Sequence, residues 1–151
     1  MLLAVRALRT REVHMSITGG CLCGAVRFSS DAGPITTRTC WCRVCQYIGA
    51  GGATVNVCFP SQSLAVSGEL REYRSVADSG NPMVRRFCPQ CGTHLFSDSA
   101  ARPHLTFVRA GTLDDPELAR PVVTAWTASA PSWACCDERI PQVERQPAPA
   151  A

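Results

Sequence analysis

The chain contains no lysine. All of its formal basic charge outside histidine is arginine, scattered singly or in pairs, so no basic run marks a nucleic-acid surface. Charged residues make up 18% and aromatics 7%, against 46% hydrophobic. That balance excludes a disordered polyelectrolyte and fits a globular protein. No apolar run approaches the roughly 20 residues that a membrane-spanning helix needs, so no membrane span is expected. No stretch of about ten residues or more carries a convincing helical period, which argues against an all-α protein. The 151 residues suit one domain with a sizeable core.

What the chain has is cysteine, ten in all. Seven fall into three tight clusters: Cys21-x-Cys23, Cys40-x-Cys42-x2-Cys45 and Cys88-x2-Cys91. Thiolates one or two residues apart reach a single metal ion but pair poorly as disulfides. A secreted disulfide scaffold also spaces its cysteines more widely, so the clustering points to metal in a reducing compartment such as the cytoplasm. Seven ligands divide into four, which close a tetrahedral zinc site, and three, which leave a position open. With seven thiolates balanced by two Zn²⁺, three positive charges vanish and the formal +3 falls close to zero.

The alternating segments are short. Ala25–Phe28, Ala53–Phe59, Met83–Phe87, His94–Ser97, His104–Ala110 and Val122–Trp126 read as strands. Leu64–Val66 and Leu70–Tyr73 read as a hairpin turning at Ser67-Gly68-Glu69, and Pro116–Ala119 as one helical turn. The expectation is a mostly β, small zinc-containing domain of short antiparallel sheets over residues 16–145. Residues 1–15 read as a disordered extension, or as an upstream start with Met15 the true initiator. The Pro/Ala-rich tail 146–151 reads as disordered.

Cys88-Pro89-Gln90-Cys91-Gly92 has the form of a zinc knuckle, its glycine suited to the positive φ that such turns demand. A thioredoxin-like pair would want a following helix, whereas Thr93–Phe96 looks like strand. Cys21-Leu22-Cys23-Gly24 supplies a second pair and would complete a Cys₄ site. Cys40, Cys42 and Cys45 present three sulfurs from one loop. Three thiolates on Zn²⁺ activate water poorly but hold a soft sulfur ligand well, so chemistry on a thiol is the natural expectation. The fourth ligand is water, a substrate thiol, or one of Cys58, Cys135, Cys136, His94 and His104. Arg43 either balances the loop's charge and holds a substrate carboxylate, or is simply solvated. Cys58 reads as a buried small hydrophobe, Cys135-Cys136 as non-ligands, and Trp126 and Trp133 as core rather than pocket.

These residues resemble the glutathione-dependent formaldehyde-activating enzyme family. The resemblance rests on Gly19-Gly20-Cys21-Leu22-Cys23-Gly24-Ala25-Val26, on Cys40-x-Cys42-x2-Cys45, on Gly68 and Tyr73, and on Phe87-Cys88-x2-Cys91-Gly92-Thr93. It closes with Ala110-Gly111-Thr112-Leu113-Asp114-Asp115-Pro116 and Trp133. It implies a β-rich fold shared with a Rab-type exchange suppressor and methionine sulfoxide reductase B, and two zinc ions per chain. Cys21, Cys23, Cys88 and Cys91 would hold the structural ion; Cys40, Cys42 and Cys45 would hold the catalytic one. The implied activity is a carbon–sulfur lyase that joins glutathione to formaldehyde as S-hydroxymethylglutathione. Members often carry His, Ser and Arg where this chain has Trp41, Arg43 and Gln46. A non-enzymatic, zinc-stabilised binding module of the same fold and a dithiol redox protein are the competing readings.

Overall fold

A computed structural model describes residues 16–148. The expected N-terminal extension or alternative start at 1–15, and the last three residues of the tail, lie outside the described residues. The described chain is mostly β, with eleven strands and one short α-helix.

Strands β1 (Ile17–Gly20) and β2 (Arg27–Ser30) pair antiparallel around the Cys21–Gly24 turn, and β5 (Leu64–Ser67) adds to β2. The second sheet is larger. It takes β3 (Thr36–Cys40), β4 (Thr54–Pro60), β6 (Arg71–Val76), β7 (Pro82–Phe87), β8 (His94–Ser99), β9 (Leu105–Arg109), β10 (Val123–Ala125) and β11 (Gln142–Val143). Its order is β11-β10-β3-β4-β9-β8-β7-β6. Most pairs are antiparallel, but β10 runs parallel to β3 and β11 parallel to β10, so the sheet is mixed. Helix α1 (Arg43–Ile48) bridges β3 and β4.

The expected hairpin at Gly68 is not formed. Strand β5 belongs to the small sheet, whereas β6 pairs with β7 in the large one. Gly68 lies at φ +97, and a Cβ there would sit 2.1 Å from the carbonyl oxygen of Ala25. The glycine lets the chain cross closely over the Ala25–Val26 backbone into the other sheet. Alternation marks two strands but does not say with which neighbour each pairs.

The two sheets meet in one apolar core. Val26 and Phe28 from the small sheet pack with Val57, Phe59, Leu95, Phe96 and Val108 from the large one. Phe28 and Phe96 stand edge to face with ring centroids 5.4 Å apart. Buried Cys21 and Cys88 belong to this same cluster. At the rim, Asp114 accepts from Thr18 and from the Arg27 guanidinium, which holds its carboxyl below the usual range. That pair is half-exposed, so its stabilising effect is small.

Alternation along the large sheet sends a second set of side chains to the opposite face. Val57, Phe59 and Val108 point into the core. Their intervening neighbours, Asn56 on β4 and Phe107 and Arg109 on β9, line a cavity on the other side. Cys58 is fully buried in a small cluster with Leu105 and Phe107, as expected for a core cysteine, and burial raises its thiol pKa.

Candidate metal centres

The seven clustered cysteines gather into two groups. The sulfurs of Cys21, Cys23, Cys88 and Cys91 all lie within 4.8 Å of one another, as do those of Cys40, Cys42 and Cys45. Both groups can hold a metal ion.

In the four-sulfur group, Cys21 and Cys23 flank the turn between β1 and β2, while Cys88 and Cys91 flank the turn between β7 and β8. Sulfur separations are 3.5 Å for Cys21–Cys23 and 3.8 Å for Cys23–Cys88. Tetrahedral bonds of about 2.3 Å place zinc-bound sulfurs about 3.8 Å apart, so the donor set fits that ion. The glycine closing each turn has a positive φ, +79 at Gly24 and +71 at Gly92. The wrapped backbone turns N–H groups toward sulfur: Val26 N–H donates to Cys21 Sγ at 3.2 Å. The hydroxyl and N–H of Thr93 draw the Cys91 pKa down to about 5. The N–H of Ala25 favours the Cys23 thiolate, but Cys21 and its other sulfur neighbours push that thiol up to about 12. Thiolates this close repel one another, a repulsion that a bound divalent cation relieves.

The three-sulfur group forms at a strand-to-helix junction. Cys40 ends β3, Cys42 caps α1, and Cys45 lies in the first turn of the helix. Cys45 N–H donates to Cys42 Sγ at 3.4 Å. The cluster expected on a loop therefore rides partly on a helix of six residues, too short to announce itself by periodicity. Hydrogen bonds from Cys40 and Cys42 depress the Cys45 pKa to about 2. Those same sulfur contacts, with burial, raise Cys40. Cys42 is also raised, despite a hydrogen bond from Cys40, by Cys45 and burial. Such a crowd of buried sulfurs is what a divalent cation relieves.

Gln46 fastens this junction. Its buried amide donates to the carbonyls of Trp41 at 2.7 Å and Ser129 at 2.8 Å, tying α1 to the turn after β10. Trp126, in the left-handed region at φ 61, packs against the three cysteines and lines the cavity beside them. Trp133 is 70% exposed and stands edge-on to Trp41. Neither tryptophan is the core residue that its type suggests.

Among the described residues no other Cys, His, Asp or Glu joins Cys40, Cys42 and Cys45. Cys135 and Cys136 line a separate hollow with Arg120 and Arg139. His94 stacks on Phe87 at 5.6 Å, and burial lowers its pKa. His104 borders another surface hollow near Pro60. Arg43 is exposed; it donates to Gln46 Oε1 and lies over the Tyr47 ring, outside the cavity lining.

Four other arginines line that cavity: Arg38 on β3, Arg85 on β7, Arg109 on β9, and Arg102 before β9. They come from four separate segments, so no local motif marks them as a group. One local signal was present: Arg38 precedes Cys40 by two residues, which places both on one face of β3. Arg109 donates to Asn56, and to Ser97 Oγ at 2.8 Å. Burial lowers the pKa of both Arg38 and Arg109, and the neighbouring thiolates oppose that shift.

The sequence signature of the glutathione-dependent formaldehyde-activating enzymes matches residues 16–129, a span that holds both cysteine groups. The chain belongs to this family. A provisionally named glutathione-dependent formaldehyde-activating enzyme of Halomonas elongata is 31% identical over 112 residues, covering 71% of each chain. A crystal structure of a Rhodobacter sphaeroides protein superposes with a TM-score of 0.53 at 22% identity, over 69% of this chain and 96% of that one. That likeness concerns the fold alone. No helix among the described residues is long and apolar enough to cross a membrane.

Proposed function

We propose that this member of the family is a zinc-dependent carbon–sulfur lyase that joins a glutathione-like thiol to an aldehyde. The observation that carries this reading is the three-sulfur group beside a cavity, with no fourth protein ligand among the described residues. In it, Cys21, Cys23, Cys88 and Cys91 hold a structural zinc ion, and Cys40, Cys42 and Cys45 hold a second ion with one position open. Zinc bound there would lower the pKa of an incoming thiol and hold it as the thiolate.

The addition forms one sulfur–carbon bond. The carbonyl π pair moves onto oxygen, which takes a proton equivalent to the one the thiol gave up, leaving an S-hydroxymethyl adduct. The chain's own contribution is placement. Cys40 and Cys42 fix two sulfurs through the end of β3 and the cap of α1, and Gln46 holds that junction in place. Trp126 walls the cavity next to the sulfurs and shields the thiol end from bulk water. Seven thiols that must stay reduced suit a reducing compartment such as the cytoplasm.

The test is magnetisation-exchange NMR of glutathione with formaldehyde. The zinc-loaded protein is expected to raise the exchange rate well above the spontaneous rate at the same pH. An unchanged rate would sink the proposal, since the uncatalysed addition is already fast.

A further inference from the structure

The cavity beside Cys40, Cys42 and Cys45 is basic to a degree that the three sulfurs do not explain. Four arginines line it, and Asp78 is the one carboxylate among the lining residues. None of the four arginines makes an ion pair among the described residues; the four pairs found there use Arg27, Arg74, Arg86 and Arg139. Arg85 is only 5% exposed and reaches a serine hydroxyl. Arg38 lies over the Phe107 ring at 4.4 Å, and its buried Nε has no hydrogen-bond partner. The buried Nε of Arg109 is likewise unpartnered. Even a Zn²⁺ ion with three thiolates, one negative charge in total, leaves two positive charges in excess once Asp78 is counted. Guanidinium groups withdrawn from water without counter-charges are costly, and a bound anion removes that cost.

We propose that Arg38, Arg85, Arg102 and Arg109 form an anion clamp beside the three-sulfur centre, selecting a thiol that carries a carboxylate close to its sulfur. The inference rests on the reading that a thiol enters at Cys40, Cys42 and Cys45. The cavity volume is about 90 Å³, against roughly 300–1,000 Å³ for ordinary small-molecule pockets. It takes the sulfur and one carboxylate arm, while the rest of a larger thiol lies in the open mouth. Selectivity is therefore for the charge near the sulfur, and a neutral thiol of similar size is discriminated against.

The experiment uses the full-length protein with cobalt(II) in place of zinc, and follows the sulfur-to-cobalt absorption as thiols are added. 3-Mercaptopropionate is expected to bind about tenfold or more tightly than 2-mercaptoethanol, the gain of a charge-assisted contact. Arg38→Gln should erase most of that preference while 2-mercaptoethanol affinity and metal content stay as in the wild type. Should Arg38→Gln fail to fold, Arg102→Gln carries the same test. A second arm needs no sulfur: succinate at constant ionic strength should raise the thermal midpoint of the wild type and not of Arg38→Gln. Equal affinity for charged and neutral thiols, or a preference that survives the substitution, overturns the clamp. If no thiol perturbs the cobalt spectrum, the lyase reading fails, and the succinate arm alone decides the clamp: a shift confined to the wild type supports it, and no shift overturns it.

Discussion

Cys91→Ser is expected to abolish the folded state rather than weaken one corner of it. The four-sulfur group ties the β1–β2 turn to the β7–β8 turn, and two of its members, Cys21 and Cys88, are packed in the main core. Opening that site removes metal-binding energy that is also folding energy. For structural zinc this is about 10–16 kcal/mol in small peptides, comparable to the whole stability of a domain, about 5–15 kcal/mol. The variant should show a collapsed near-ultraviolet circular dichroism spectrum and poor zinc retention after purification. A Cys91→Ser protein with native melting behaviour would show that this group does not carry the fold.

Cys42→Ser is expected to do the opposite: keep the fold and lose the chemistry. A serine hydroxyl is a poor zinc donor, so the second site should empty and zinc content should drop by one ion per chain. Catalysed exchange of glutathione with formaldehyde should fall to the spontaneous rate. The helix survives, because Cys42 is its cap and serine is a better capping residue than cysteine. The melting midpoint should fall far less than for Cys91→Ser, because Cys42 lies outside the main apolar core. If both variants were equally sensitive to chelators, the assignment of one structural and one catalytic group would be wrong.

The grouping of the seven cysteines was legible because it is local. Cys-x-Cys and Cys-x2-Cys bring two sulfurs together whatever surrounds them, and Gly24 and Gly92 mark the positive-φ turns that make them possible. Most strands were legible too, since Ala53–Phe59 and His104–Ala110 alternate clearly. Partnership was not. Nothing in the sequence shows that β5 leaves β6 for the other sheet, or that β10 runs parallel to β3 and delivers Trp126 to the cysteines. The short strands β1 and β3 were hidden by glycine and by the cysteine motif. Helix α1 was hidden by its length. The arginines of the cavity were invisible for the same reason as the sheet order. Arg38, Arg85 and Arg109 lie on three different strands, and only the register of the sheet turns them into one surface. The arginine singled out by its place in the motif, Arg43, is turned away toward Gln46 and Tyr47.

The most direct test of the open three-sulfur centre is zinc-edge X-ray absorption on the intact protein, before and after addition of glutathione, with the zinc content measured on the same sample. The proposed division into a closed four-sulfur site and an open three-sulfur site predicts two zinc ions per chain and about 3.5 sulfurs per zinc on average, rising toward four when glutathione binds. A single zinc ion per chain, or a sulfur count that glutathione leaves unchanged, would contradict it.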